Sequence, residues 1–458
     1  MSVNKADWVE ALEEIPSLGK PGDVTTTVSS PDDKARAARD HRWQLAFFVA
    51  VCCIVLLMLL GPGLVPPKVD NLHYVYLAHS MTEGKLTVDN IPANYADVVT
   101  WQGHKYLPFG PLPAILLIPF LPILDFGVHI VWIGYILTLL NVWVLYKILG
   151  ATGIKDERRP WALLLFFGGT VYLSVALVGS SYFLAAVLTV TCVLLAVLET
   201  LTKRRPWLVG ILIGLAGMSR LTSIFVLPFF MWMLWKGTMS NPMADISDMN
   251  NSAHTAADTR LSKLAVNYAL LFAGLAVPLL MLLIYNYLRF DNFLESGYNM
   301  AVLSYQPFVD ARAYGLFSLA HIPKNLFMMF LQGPTAYPSD DAGVLLFPYI
   351  MPSPWGMGLI YTSPAIFYAF LSKSKEPFVK ACWLGIAVAM IPIVTYYGIG
   401  WIQFGYRYAL DFLPLALLLA ARGFPSPMNN LSKALVLASV VVSTWGAFIL
   451  LTWIHIAG

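Results

Sequence analysis

Apolar runs of about 20 residues recur along the 458-residue chain, and they constrain its fold more than any other feature. An α-helix rises ~1.5 Å per residue, so roughly 20 apolar residues span the ~30 Å hydrocarbon core of a bilayer. Hydrophobic residues make up 58% of the chain and charged residues 12%, about half the charged fraction of a soluble domain. The sequence therefore predicts an all-α polytopic membrane protein and excludes a soluble or disordered one.

We predict about 11 transmembrane helices, forming one domain over residues 44–455. Residues 1–43 are polar and rich in Pro, Asp and Lys, and we expect a disordered cytoplasmic tail there. An apolar run behind such a tail is a retained anchor and not a cleavable signal peptide. The predicted spans are 44–63, 128–149, 160–178, 182–202, 207–219, 221–235, 264–287, 357–372, 378–397, 409–422 and 432–453.

Two interpretations are open for residues 207–235, an apolar stretch interrupted by GMSR at 217–220. As one helix, the stretch would hold the Arg220 charge near the bilayer centre, at a cost of about 2.5–3.5 kcal/mol or more. As two short helices, 207–219 and 221–235, it would place Arg220 at a surface, and short helices are tolerated where they line a cavity in the protein. We predict two helices.

Most of the 29 Lys and Arg residues fall on one side of the membrane when the N-terminus is placed inside. Because positively charged loops stay cytoplasmic, we expect a cytoplasmic N-terminus in a plasma (inner) membrane. In this orientation two long loops, 64–127 and 288–356, face outward, and the polar stretch 237–262 is a flexible inner loop. We expect the short, Pro-rich run 111–124 to lie as a helix on the outer membrane surface.

Polar and titratable side chains gather in the predicted outer segments. Asp70 follows the first span and precedes an amphipathic helix predicted from Asn71 to Glu83, so it is either a helix cap or a chemical group. His73 and His79 are six positions apart, which does not suit a zinc pair on one helix, and we expect both at the surface.

Two arginines in these segments each allow two interpretations. Arg407 stands among aromatic residues four positions before Asp411. It is either an interfacial anchor paired with Asp411 or a cation that holds a phosphate at the membrane surface. Arg220 at the predicted helix break allows the same two roles, and its apolar setting calls for an anionic partner.

Several common sites are excluded by motif. GxxxxGK[ST], GxGxxG after a strand and HExxH do not occur, so the sequence carries no sign of an inner-face nucleotide site. The four Cys residues lie in apolar runs without metal or disulfide spacing, and we expect small core side chains. We expect no nucleic acid partner, because no basic block is long enough to form a patch.

A series of segments resembles the GT-C superfamily of integral membrane glycosyltransferases, in particular the bacterial glycosyltransferase 39, or protein-mannosyltransferase-like, group. The likeness runs over most of residues 44–455 as weak motifs in the family's order. These are Asp70-Asn71, the later Tyr74, Ala78 and Gly84, KYLPFGPLPAILLIP (105–119), GLAGMSRLTSIFVLP (214–228), YNYLRFDNFLESGY (285–298) and FGYRYALDFLP (404–414).

The resemblance implies a cell-envelope enzyme that moves a sugar from a polyprenyl-phosphate-linked donor to a lipid, glycan or protein hydroxyl on the outer face, with inversion. Asp70 then matches the family's catalytic Asp, a general base, and Lys105 and Arg220 match cations that bind the donor phosphate. We add Arg407 to these phosphate-binding candidates because of its aromatic sequence surroundings and not because of the resemblance. Further candidates for substrate contact are His73, Tyr106 and Tyr406.

The chain also departs from that family. Many members carry a second acidic residue where this chain has the turn GSSYF (179–183), which lacks a carboxylate. We therefore expect no required cofactor and assign no metal, with a divalent ion left as an open alternative. A transporter or flippase of lipid-linked sugars is the second class, although the sequence shows one broken helix where such proteins have two in related halves. A non-catalytic scaffold of envelope assembly is the third.

Overall fold

A computed structural model describes residues 31–64, 72–92, 95, 97–123, 130–179, 181–239, 253–303, 305–336, 344, 349–373 and 375–456. The chain divides into two compact units, 1–46 and 47–458. The helices in chain order are α1 (Pro31–Leu64), α2 (His73–Thr82), α3 (Leu112–Leu117), α4 (Ile130–Ala151), α5 (Arg158–Gly168), α6 (Val171–Val178), α7 (Ser181–Leu201), α8 (Pro206–Ser219), α9 (Leu227–Met239), α10 (Ala253–Phe290), α11 (Gln306–Arg312), α12 (Ile322–Leu326), α13 (Leu359–Thr362), α14 (Pro377–Thr395), α15 (Leu413–Gly423) and α16 (Asn430–Ile456).

Two small antiparallel hairpins interrupt the helices. In the first, β1 (Val99–Trp101) pairs with β2 (His104–Tyr106), with Thr100 opposite Lys105. In the second, β3 (Thr335–Ala336) pairs with β4 (Ile350–Met351).

Seven helices among the described residues are long and apolar enough to cross a membrane, or eight if the bent pair α5–α6 forms one span. The chain is therefore an all-α, multi-pass membrane protein. Helices α8 and α15 are apolar but shorter. The candidate spans are His41–Leu60, Ile130–Ala151, Ser181–Leu201, Leu221–Met239, Asp258–Phe290, Pro377–Thr395 and Asn430–Leu451.

The break predicted at Arg220 is confirmed. Helix α8 ends at Ser219, and Arg220 is extended, with φ −143° and ψ 107°. A 3-10 helix, Leu221–Val226, then leads into α9. The helices predicted over Asn71–Glu83 and 111–124 are also present, the first as α2 and the second as α3 followed by the 3-10 helix Ile118–Ile123.

Helix α1 begins at Pro31, so the last part of the expected disordered tail, 31–43, is helical. This segment is rich in Ala and Arg, which have high helix propensity. Extending a helix from an apolar run that already forms one is also less costly than nucleating one. The rest of that tail, 1–30, lies outside the described residues.

Two predicted spans differ from the structure. The span expected at 160–178 is bent by 54° between α5 and α6, where Thr170 caps the second helix by accepting from the Tyr172 N–H. The span expected at 357–372 is the four-residue α13 followed by a 3-10 helix, Pro364–Leu371. Pro364 explains this interruption, because proline disfavours a helical conformation in the residue before it.

The inner loop predicted at 237–262 is shorter than expected. Helix α9 continues to Met239 and α10 already begins at Ala253, while 240–252 lie outside the described residues.

Helices α8 and α10 approach each other backbone to backbone through two glycines. A Cβ atom on Gly210 would lie 2.0 Å from the Leu271 carbonyl oxygen, and one on Gly274 would lie 2.0 Å from that of Trp207. Small residues at such crossings are typical of packed membrane helices, where close contact takes the place of a hydrophobic driving force. This crossing holds α8, and therefore Arg220 at its end, in place.

Candidate active site

Segments far apart in the chain meet at the N-terminal ends of α2 and α7. The Nδ1 atom of His73, the first residue of α2, lies 2.6 Å from Oγ of Ser181, the first residue of α7. The Phe109 ring makes edge contacts with His73 and Tyr182 at centroid distances of 5.4 and 5.8 Å. The segment after the first hairpin is thus packed onto both helix ends.

Gly110 brings the same segment onto the end of α8. A Cβ atom at this position would lie 2.0 Å from the Met218 carbonyl oxygen, so only glycine allows this approach. The Ser219 hydroxyl donates to the Ala185 carbonyl of α7 at 2.9 Å. The first loop, α7 and α8 therefore converge where Arg220 begins.

Arg220 forms a buried ion pair with Asp411. Its Nε atom donates to Asp411 Oδ1 at 2.9 Å and its Nη2 atom to Oδ2 at 3.3 Å. The Thr222 hydroxyl donates to Oδ2 at 2.5 Å, and the Asp411 side chain is fully buried. The anionic partner expected for Arg220 is thus internal, and the pairing of Arg407 with Asp411 considered from the sequence does not form.

Arg407 is buried, and no carboxylate among the described residues pairs with it. Its residue surface is 7% exposed, and one long hydrogen bond joins Nη1 to the Trp401 carbonyl at 3.4 Å. Within the described part of the chain, Nε has no hydrogen-bond partner and no carboxylate lies within the 4.0 Å of an ion pair. The guanidinium carbon lies 4.9, 5.5 and 5.5 Å from the ring centroids of Tyr182, Phe183 and Tyr408. A desolvated cation left in this state is costly, so the position is suited to bind an anion.

Tyr182 joins Asp97 to the Arg407 cluster, which consists of the guanidinium and the rings of Tyr182, Phe183 and Tyr408 around it. The Tyr182 hydroxyl donates to Asp97 Oδ2 at 3.0 Å, while its ring contacts the Arg407 guanidinium. Asp97 is exposed and has φ 57°, a left-handed conformation that is uncommon for a residue with a side chain. A solvent-accessible carboxylate therefore lies at one end of the Tyr182 side chain, whose ring contacts the Arg407 guanidinium, although the GSSYF turn (179–183) has no carboxylate of its own.

Two more predicted site residues belong to this cluster. His73 is 1% exposed, so the expectation of a surface histidine was wrong, because the loop residues around Tyr95 and Phe109 cover that end of α2. Tyr406 is also 1% exposed, its ring lies 5.7 Å from that of Tyr408, and its hydroxyl has no partner among the described residues. Burial raises the pKa of the Tyr406 hydroxyl, which keeps it a neutral donor.

The first hairpin places two other predicted residues elsewhere. Tyr106 packs against Phe290 at the end of α10, with ring centroids 5.4 Å apart. The Lys105 backbone N–H donates to Asp89 at 2.8 Å, and His104 contacts the same carboxylate at 3.1 Å. In the described ranges, no hydrogen bond or ring contact joins Lys105 or Tyr106 to Arg407. Asp70 lies outside the described residues.

Sequence reasoning gave no role to Asp97, Tyr182 or Thr222. Asp97 was one of several carboxylates in the first loop, and Thr222 follows the predicted break by two positions. Their roles depend on contacts across 85 and 189 positions of chain, which no local pattern carries.

No group of three or more His, Cys, Asp or Glu side chains that could hold a metal ion occurs among the residues the structure describes. No protein family, curated protein or solved structure matches the chain.

Proposed function

We propose that the chain is a glycosyltransferase that takes a sugar from a polyprenyl-phosphate-linked donor and passes it to an acceptor hydroxyl. The observation that carries this proposal is Arg407, a buried guanidinium with no carboxylate partner among the described residues, in a multi-pass helical protein. Arginine offers a planar, bidentate set of donors that matches a phosphate group. A lipid-linked phosphate would bring its negative charge to this cation from within the membrane.

The surroundings of Arg407 support transfer chemistry as well as binding. As the sugar leaves the donor, negative charge develops on the lipid phosphate, and a fixed cation in a site of low dielectric stabilises that charge. The rings of Tyr182, Phe183 and Tyr408 surround the guanidinium and limit its contact with water. Neutral hydroxyls, such as that of Tyr406, add hydrogen-bond donors.

The general base in this proposal is Asp70, assigned from the resemblance. It would take the proton of the acceptor hydroxyl while that oxygen attacks the anomeric carbon and the lipid phosphate departs, which inverts the configuration. Asp97 is the alternative base, because it is an exposed carboxylate that Tyr182 links to Arg407. Lys105 and Tyr106 remain proposed contacts to the donor phosphate and substrate, and His73 to the substrate.

The finer membrane topology belongs to the same proposal. About 11 crossings follow if the bent pair α5–α6, the short helices α8 and α15 and the segment 359–371 each count as one with the seven long helices. The charge distribution then puts the N-terminus in the cytoplasm and the Arg407 cluster on the extracytoplasmic face of the plasma membrane.

The test is transfer of labelled sugar from a panel of polyprenyl-phosphate sugars by purified protein in nanodiscs. We expect wild type to transfer label, Arg407→Gln to lower the rate by about 10²–10³-fold, and Asp70→Asn to lower it by about 10²–10⁴-fold. Lys85→Gln is the matched control, because Lys85 is an exposed cation of the first loop that pairs with Glu83. Unchanged transfer by Arg407→Gln would contradict the assigned phosphate site, and unchanged transfer by Asp70→Asn would move the base to Asp97.

One observation favours a second function, transport or flipping of a lipid-linked sugar. The broken helices among the described residues include one at Arg220 and one between α5 and α6, and transporters commonly pair such breaks in related halves. Movement of a fluorescent polyprenyl-phosphate sugar across proteoliposomes, without transfer to an acceptor, would support this function over the transferase.

A further inference from the structure

A separate cavity of about 270 Å³ lies between the second long loop and the segment that follows α14. This volume is just below the roughly 300–1,000 Å³ typical of small-molecule pockets, so it suits a single ring. The side chains that line it and that matter here are Phe308, Lys324, Met328, Gln332, Trp355 and Ile399.

The walls of this cavity are fixed by Gln403. Its amide nitrogen donates to the Trp355 carbonyl at 2.8 Å and to the Ile399 carbonyl at 2.7 Å, and the residue is 1% exposed. Gly356 lies against Gly405, where a Cβ atom would meet the backbone at 3.0 Å. The cavity is therefore formed before any ligand enters, which lowers the entropic cost of binding.

One wall of the cavity is aromatic. The Trp355 ring lies 4.3 Å from that of Trp401 and 5.6 Å from that of Phe308, and Tyr305 contacts both tryptophans. One face of a pyranose ring carries C–H groups with partial positive charge, and the electron-rich face of an aromatic ring attracts such groups. A cluster of this kind, with Trp401 still 46% exposed, suits a sugar ring.

The cavity is also lined by a cation, Lys324. Lys324 Nζ donates to the Tyr397 carbonyl at 3.1 Å, which leaves two of its three N–H donors. No carboxylate lies within ion-pair distance of it in the described part of the chain. Burial lowers the pKa of Lys324, and a negative group on a ligand would offset that effect. The Gln332 amide oxygen adds an acceptor for a sugar hydroxyl.

A hydrogen bond and a ring contact, both made by Trp401, link the cavity wall to the Arg407 cluster. The Trp401 carbonyl accepts the long hydrogen bond from Arg407, and the Trp401 ring packs on Trp355 in the cavity wall. We propose that this cavity binds the acceptor sugar, and that this sugar carries a negative group, either a carboxylate or a phosphate. The inference rests on the proposed transferase function and adds the class of its acceptor.

Saturation-transfer NMR on protein in zwitterionic nanodiscs tests the inference without a donor. The probes are glucose, glucuronate and glucose 6-phosphate. We expect the two charged sugars to give at least about fivefold more signal than glucose with wild type and with Lys324→Arg, and to lose that excess with Lys324→Met. The stronger of the two charged probes identifies carboxylate or phosphate as the group.

A second variant guards against misfolding. Phe308→Leu keeps an apolar wall but removes one ring face, and it should weaken the signal of all three probes while Lys324 is intact. Equal signals from the three probes, or charged-sugar signals that persist in Lys324→Met, would overturn the inference. Arg407→Gln separates the two proposals, because it should lower the transfer rate by about 10²–10³-fold and leave probe binding unchanged. Wild-type transfer without any probe binding would remove the acceptor site and keep the transferase.

Discussion

The guanidinium carbon of Arg407 lies 4.9 Å from the ring centroid of Tyr182, and the hydroxyl at the far end of that ring donates to Asp97. One aromatic side chain thus separates a buried positive charge from an exposed negative one. This separation keeps the two groups from forming an ion pair with each other.

Removal of the Arg407 charge should stabilise the protein while it impairs transfer. Arg407→Gln eliminates a desolvated guanidinium with few hydrogen bonds, and we expect the free energy of unfolding to rise by about 1–2 kcal/mol. Scanning fluorimetry in detergent, alongside the transfer assay, measures both effects. A lower melting temperature would show that Arg407 is structural, which contradicts its role as an anion site.

Asp97 and Tyr182 should act as one unit. We expect Asp97→Asn and Tyr182→Phe each to lower the transfer rate by about fivefold to tenfold, because each removes the same hydrogen bond of about 1 kcal/mol. The double variant should be no slower than the slower single variant. If the fold-losses in transfer rate of the two single variants multiply in the double variant, the hydrogen bond does not couple the two side chains.

The Arg220–Asp411 pair should be costly to break from one side. Asp411→Asn leaves a buried guanidinium unpaired, and we expect a loss of about 3–5 kcal/mol in the free energy of unfolding. The double variant Arg220→Met with Asp411→Leu should recover most of that loss, since two apolar side chains need no partner. Thermal unfolding followed by tryptophan fluorescence provides the measurement, and a double variant less stable than Asp411→Asn would refute this account.

The α8–α10 crossing should not tolerate a larger residue. Gly274→Ala would place a methyl group against the Trp207 backbone, and we expect a loss of about 1–3 kcal/mol. Gly237→Ala is the matched control in α9, where the nearest atom to an added Cβ is 3.6 Å away. Similar melting temperatures for the two variants would argue against a tight crossing.

Acid should weaken the loop that contains Asp156. The hydrogen bond from the Arg158 side chain is the main cause that holds the pKa of Asp156 at about 2, with further help from Ser426. A lowered folded-state pKa contributes stability that is present above the ordinary Asp value of about 4 and is lost as the pH falls towards 2. Between pH 4 and 2, the melting temperature of wild type should therefore fall further than that of Asp156→Asn. Parallel curves for the two proteins would exclude this contribution.

The sequence predicted much of the architecture and only part of the site. Arg220 in an apolar run indicated a break because a charge at the bilayer centre is costly, and the break is present. The bend at Gly169–Thr170 had a comparable sequence signal, because two glycines precede a threonine that can cap a helix. The length of the apolar run nevertheless favoured the prediction of one helix. We also predicted 357–372 as one span, although Pro364 is a sequence signal for its interruption.

The site contacts that were not predicted are all long-range. The spacing of Arg407 and Asp411 favoured a pair between them, whereas Asp411 binds Arg220, 191 positions away. His73 was expected at the surface, whereas loop residues around Phe109 bury it. Local periodicity describes one element at a time and carries no information on which elements cover it.

The distance in sequence between Arg220 and Asp411 has a consequence for biosynthesis. Arg220 is translated 191 residues before Asp411, so the ribosome, at ~5–20 residues per second, needs roughly 10–40 s to supply the counter-charge. During that interval the nascent chain holds an arginine whose final partner has not yet been synthesised. Closure of this end of the protein is therefore a late event, and truncated chains that stop before residue 411 should be preferred substrates for membrane quality-control proteases.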